Sequence, residues 1–260
     1  MARFFVNPQQ LWAGQVVITG DDVRHITKVL RLGIGDQITV TTGDNTEYRV
    51  DITAASKTEV SGRVVAEQIV NRDPELKVTL VQGLPKGDKM ELIVQKCTEL
   101  GVTTIIPVET KRAVVKLDAG KAKQRVERWQ RIAMEAAKQC RRNQVPVVAL
   151  PTSWARALET IPKAAITLVP WEDEQGKSLK QIMGERQQLW AKDAASRPQE
   201  VWVFIGPEGG LDPEEIELAK SKGVTPVSLG PRILRTETAG LAVLTMVLYQ
   251  WGDLGGLANG

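Results

Sequence analysis

An apolar run at residues 201–205, Val-Trp-Val-Phe-Ile, breaks into Gly206-Pro207-Glu208-Gly209-Gly210 and meets a helix start almost at once. Asp212 is placed to cap that helix, Pro213 suits its first turn, and Glu215 completes a capping box. Strand, glycine-rich loop and helix in direct succession form the repeating element of an open α/β sheet. Such sheets hold ligands beyond the carboxyl ends of their strands, where this loop falls. Its glycines let a ligand approach the main chain closely. The spacing is neither the G-x-G-x-x-G of dinucleotide sites nor a P-loop with its Lys-Ser/Thr. Glu208, Asp212, Glu214 and Glu215 crowd a helix N-terminus that a polyphosphate would otherwise occupy. A phosphate-free ligand carrying positive charge is the expectation.

The same texture extends on both sides. KVTLVQG, TTIIPVE, AAITLVPW and TPVSLGP read as further strands, each followed by helical sequence. Asp88 is placed to cap a helix that runs to Leu100 and stops at Gly101. Repeated β-α alternation predicts a mainly parallel sheet covered on both faces. After Gly230-Pro231 come Arg232 and Arg235, then a helix from about residue 236 that is apolar nearly all round. Such a helix belongs in a core or an oligomer interface. Two arginines between a strand end and a buried helix are suited to clamp a phosphate or stabilise an anion.

Before residue 71 the pattern differs. QVVIT, QITVTT, EYRVDITAA and EVSGRVV are β-branched and separated by turn residues, predicting a small barrel. One helix is expected at residues 22–32, with Val23, Ile26, Val29 and Leu30 on its apolar side and Arg24, His25, Lys28 and Arg31 offered to RNA. NRDPELK, residues 71–77, reads as a linker. Two domains follow, 1–72 and 73–260.

Several classes are excluded. Two cysteines, Cys97 and Cys140, make no disulfide framework, and a single histidine argues against zinc and against Ser-His or Cys-His catalysis. The opening MARFFVNPQQ lacks a signal-peptide core, and no apolar stretch reaches the roughly 18 residues of a membrane span. A cytoplasmic protein without metal or membrane is expected. Between 121 and 142 stand Lys121, Lys123, Arg125, Arg128, Arg131, Lys138, Arg141 and Arg142 against Glu127 and Glu135. This local excess of +6 sits in a chain of net charge +3. Basic character concentrated on one helix is how a phosphate-facing surface looks.

FIGPEGGLDPEEI, LGPRILRTETAGLAVL, KGDKMELIVQKCTELGV and RHITKVLRL, taken together, resemble the RsmE family, the 16S rRNA uridine-N3 methyltransferases of the SPOUT superfamily. The resemblance spans nearly the whole chain. It implies an N-terminal PUA-like β-barrel that binds RNA and an α/β methyltransferase domain closed by a trefoil knot. It also implies a homodimer, S-adenosyl-L-methionine as cofactor, and the small ribosomal subunit as substrate. The cofactor is then expected among Leu168, Val169 and Pro170, then Ile205, Gly206, Pro207, Glu208, Gly209 and Gly210, and finally Leu229, Gly230, Ile233, Leu234, Arg235, Thr236, Thr238 and Ala239. Arg235 and then Arg232 are the expected anion stabilisers, with Glu208 or Glu237 as proton acceptor. Lys86, Arg112, Gln139 and Arg142 join the barrel residues as expected RNA contacts. Where relatives often carry Glu-Gln, this chain has Lys138-Gln139, so no role for that glutamate carries over. The alternatives are a knotted enzyme acting on another RNA or on ribose 2′-O, and a non-catalytic RNA-binding protein.

Overall fold

The structure, a computed structural model, describes residues 1–115, 118–193 and 197–256. It divides into two compact units. One comprises Met1–Asp73 together with Ala137–Val145, the other Pro74–Ala136 together with Pro146–Gly260.

The first unit is built on six strands: β1 (Arg3–Phe5), β2 (Leu11–Trp12), β3 (Gln15–Thr19), β4 (Gln37–Thr41), β5 (Thr46–Ala55) and β6 (Glu59–Ile69). They run in the order β1-β4-β5-β6-β3-β2, antiparallel except for the parallel β1–β4 pair. Alternation decides which side chains face inward: Val16 and Ile18 of β3, Ile38 and Val40 of β4, and Val50 and Ile52 of β5 are all buried. Phe4, Val23 and Ile26 close this core.

The single helix expected at 22–32 does not form. Helix α1 (Asp21–Arg24) passes into a π-helical turn at His25–Val29, and Arg31 adopts a left-handed φ of 55°. β-Branched Val23, Ile26, Thr27 and Val29 crowd an ordinary helix, and the Thr27 hydroxyl donates back to the Val23 carbonyl at 2.8 Å. The wider winding keeps Val23 and Ile26 inside but turns Val29 out to 67% exposure. Arg31 therefore lies beyond the helical turn and not on a helix that reaches residue 32.

The segment Ala137–Val145 completes this unit. Asp73 is its anchor. The Asp73 carboxylate accepts from Arg142 Nε at 2.7 Å and from the backbone N–H groups of Asn143 and Gln144, both at 2.9 Å. Lys138 Nζ meets Asp22 at 2.7 Å. Arg3 adds a bond to the Arg142 carbonyl and an ion pair with Glu47 at 3.3 Å.

The second unit holds β7 (Lys77–Gly83), β8 (Thr104–Glu109), β9 (Val147–Val148), β10 (Thr152–Ser153), β11 (Ile166–Pro170), β12 (Glu200–Ile205) and β13 (Thr225–Val227). The order is β10-β8-β7-β12-β11-β13, with β9 also on β8, and every pairing is parallel. Parallel strands need crossovers, which are supplied by α2 (Lys89–Leu100), α3 (Ala119–Cys140), α4 (Trp154–Glu159), α5 (Leu179–Lys192) and α6 (Pro213–Ser221), while α7 (Thr236–Trp251) follows the last strand. Covered on both faces, β7 and β12 are buried almost without break, unlike the alternating strands of the first unit. Helix α7 buries Val243, Leu244, Val247, Leu248 and Trp251 but leaves Tyr249 69% exposed. Among the described residues no helix is long and apolar enough to cross a membrane, and no group of three His, Cys, Asp or Glu could hold a metal.

Candidate active site

The neighbouring strands β12, β11 and β13 end side by side, and the loops that follow them enclose a cavity of about 630 Å³. Ligand pockets typically span roughly 300–1,000 Å³. Its wall combines Ile205 to Leu211 after β12, Pro170, Trp171 and Glu172 after β11, and Ser228 to Thr236 after β13, with Lys89 and Ala239 at the edge.

The β12 loop is shaped by packing. Gly210 has a φ of 71°, and a Cβ there would lie 2.7 Å from Glu172 Oε1. Beneath it, a Cβ on Gly83 at the end of β7 would meet Pro207 at 2.7 Å. The α6 start is as the sequence suggests: Asp212 caps, Pro213 opens the helix, and Glu215 returns a bond to the Asp212 N–H at 2.9 Å. Buried Gln82 donates to Thr236 Oγ1 at 2.9 Å, and Thr236 donates on to the Gly206 carbonyl at 2.6 Å.

The acidic crowding inferred from sequence is largely neutralised. Lys111 pairs with Glu214 and reaches Asp212 at 3.6 Å, Arg112 lies 3.5 Å from Asp212, and the buried Glu215 accepts from the Lys111 N–H at 2.8 Å. Glu208 is engaged on every side. Lys89 Nζ sits 3.0 Å from it, and the Lys86 N–H donates at 3.1 Å. The same ammonium reaches Glu237 at 3.1 Å. Burial pushes both carboxyls up, but hydrogen bonds from their own backbone N–H groups and from Lys89 outweigh it and hold them below the ordinary range. Both carboxylates are thereby held in the charged form that a proton acceptor requires, and Glu208 is also paired with Lys89 and the Lys86 N–H. Its contacts make it the anchor of the loop.

Most of the expected cofactor residues come together here. Pro170, Ile205, Gly206, Pro207, Glu208, Gly209, Gly210, Leu229, Gly230, Ile233, Leu234, Arg235, Thr236 and Ala239 all line the cavity, as does Arg232. Three do not. Leu168 and Val169 are wholly buried within β11, because a strand covered on both faces offers a ligand only its last residue. Thr238 lies off the face that Thr236 and Ala239 share, as three-residue spacing on a helix requires. Trp171, Glu172, Lys89, Leu211, Ser228 and Pro231 were missed. Reading one step past the β11 terminus would have found the first two. Arg232 and Arg235 are exposed, and neither guanidinium has a hydrogen bond or ion pair among the described residues.

The expected RNA contacts fare unevenly. Arg24, Lys28, Arg31, Lys86 and Gln139 are exposed. His25 is half-buried, its ring edge-on to Phe4 at 5.9 Å. Arg112 is committed to the β12 loop through the Gly209 carbonyl (3.4 Å) and Asp212. Arg142 is a correction: it is 4% exposed, and its charge is spent on Asp73.

Comparison with known proteins agrees with this architecture. The chain matches the RNA methyltransferase domain over residues 72–248 and the RNA methyltransferase PUA domain over residues 18–65. It is 42% identical to the ribosomal RNA small subunit methyltransferase E of Bacillus subtilis, over 96% of this chain and 97% of that protein. Against the protein of the same name from Synechocystis it is 36% identical over 94% of this chain and 76% of the relative. Two solved structures share the fold at 32% identity. One is ribosomal RNA small subunit methyltransferase E from Neisseria gonorrhoeae bound to S-adenosyl methionine, with a TM-score of 0.85 over 98% of this chain and 99% of the other. The second is a putative methyltransferase from Legionella pneumophila in complex with the same cofactor, with a TM-score of 0.81 over 97% and 98%. On sequence and fold together, the chain belongs to the ribosomal RNA small subunit methyltransferase E family.

Proposed function

We propose that the protein methylates N3 of a uridine in 16S rRNA of the small ribosomal subunit, with S-adenosylmethionine as donor. The observation that carries this reading is a cavity at the ends of three adjacent parallel strands, with two uncommitted guanidiniums, Arg232 and Arg235, in its wall.

The cavity residues suit that cofactor. Ile205, Leu211 and Leu229 offer apolar surface, the β12 loop offers main chain, and Glu172 offers a carboxylate without an ion pair among the described residues. When bound, the cofactor supplies an electrophilic methyl group on a sulfonium. The protein's own task is to hold the base in line and to favour the N3 anion. N3 of uracil is weakly acidic, and two guanidiniums facing the base would stabilise the charge left when its proton departs. That field lowers the cost of the anion, and the N3 proton passes to water or to Glu208 or Glu237 as the proposed acceptor.

Arg24, Lys28 and Arg31 on residues 1–72, and Lys123, Arg125 and Arg131 of α3, form the exposed basic surfaces proposed to meet rRNA. Residues 73–260 carry the transfer site, with 137–145 serving the first unit. The open face of α7 around Met246 and Tyr249 is proposed as the homodimer contact, beside a trefoil knot at the cofactor loops, in a cytoplasmic enzyme. Mass-spectrometric mapping of rRNA nucleosides from cells lacking the protein tests the reaction. Loss of 3-methyluridine supports it, and loss of a 2′-O-methyl mark instead overturns it.

A further inference from the structure

We propose that Lys89 is a positioning residue for methyl transfer, its ammonium tying the cofactor loop to the arginine segment by bridging Glu208 and Glu237. The inference rests on the methyltransferase reading above.

Lys89 opens α2, directly after the turn that follows β7. Its Nζ lies 3.0 Å from Glu208 in the β12 loop and 3.1 Å from Glu237 in the first turn of α7. Those two carboxylates stand on the two segments that supply most of the cavity wall, and Glu237 is two residues from Arg235. The charges around the cavity thus sort into two sets. Lys89 is ion-paired with both Glu208 and Glu237, whereas Arg232, Arg235 and Glu172 have no ion pair among the described residues.

The bridge is poorly placed to serve stability. The side chains of Lys89, Glu208 and Glu237 are 32%, 28% and 14% exposed, and ion pairs on an ammonium this open to solvent add little to folding. Its effect is geometric: one cation between two anions fixes the separation of their segments. Without it, Glu208 keeps the Lys86 N–H and Glu237 keeps the nearby charge of Arg235, but two carboxylates then repel across the cavity rim. Arg235 would also be drawn toward Glu237 and away from a substrate anion.

The test compares the full-length chain with Lys89→Met and Lys89→Arg. S-adenosylmethionine binding is measured by calorimetry at pH 5 and pH 8, and kcat and KM on small ribosomal subunits. Lys89→Met should weaken cofactor binding about tenfold at pH 8, the scale of one modest interaction. The deficit should shrink toward pH 5, as one carboxylate takes up a proton and the repulsion ends. Lys89→Arg should restore binding, and adding Glu237→Gln to Lys89→Met should relieve the pH 8 deficit. The inference is overturned if Lys89→Met binds like the unaltered chain, or if its deficit is equal at both pH values and Arg does not rescue it. If the unaltered chain binds no cofactor, the methyltransferase reading falls, and this inference with it.

Discussion

Thr236 Oγ1 donates a 2.6 Å hydrogen bond to the carbonyl oxygen of Gly206, fastening the first residue of α7 to the residue that follows β12. Gln82 Nε2 completes the chain from below at 2.9 Å, so the ends of three elements meet at one hydroxyl. Thr236→Val keeps the shape and removes the hydroxyl, leaving a buried donor and a carbonyl unpaired. The expected cost is about 1–3 kcal/mol of stability. Denaturant unfolding of the full chain should show it, with weaker cofactor binding in calorimetry. Thr236→Ser should retain both properties.

The Arg235 side chain makes no hydrogen bond or ion pair among the described residues. Arg235→Ala should therefore melt close to the unaltered protein while losing roughly 10²–10³ in kcat, as expected when a preorganised charge stabiliser is removed. Arg232→Ala should lose less. Tritium transfer to small subunits measures both, and an active Arg235→Ala would remove the proposed anion stabiliser.

Acid should loosen the cofactor loop. The folded-state carboxyls of Glu208 and Asp212 lie below their ordinary values of 4.5 and 3.8. A group depressed on folding stabilises fully above its ordinary value, and that contribution fades as pH falls through the folded one. Thermal melts should therefore be flat above pH 5 with respect to these groups and fall below about pH 4.5. Glu208→Gln should show a shallower fall.

Breaking the Asp73–Arg142 pair should damage folding, not chemistry. At 5% and 7% side-chain exposure, removal of either partner strands a charge in the interior, a loss of about 3–5 kcal/mol. Arg142→Ala and Asp73→Ala should each lower the urea midpoint. If Arg142→Ala instead left stability intact and weakened only RNA binding, the buried role assigned here would be wrong.

Much of the second unit was legible because its signals are local. Apolar strands, Asp212-Pro213 and the glycine loop each announce a conformation that tertiary contacts do not overturn, and the parallel sheet follows from their alternation. The first unit was harder. Val29 and Leu30 have the spacing of a buried helical stripe, but crowding by β-branched neighbours selects a π turn that spacing alone does not encode. Charge misled for a different reason. Glu208, Asp212, Glu214 and Glu215 lie close in sequence, while the cations that answer them, Lys89 at the start of α2 and Lys111 and Arg112 after β8, arrive from elsewhere in the chain. Arg142 was mistaken for a surface charge because nothing in a basic run marks the one residue whose partner lies 69 positions away.

The first unit is written in two separate stretches of the chain, and Asp73 binds the second to the first. Cutting the gene at the apparent linker would deliver the barrel strands without their closing piece, the Asp73 carboxylate facing neither Arg142 nor the N–H groups of Asn143 and Gln144. Expressed whole, the first unit requires the chain to run on through residue 145, so a truncation meant to isolate it has to carry α3 as well.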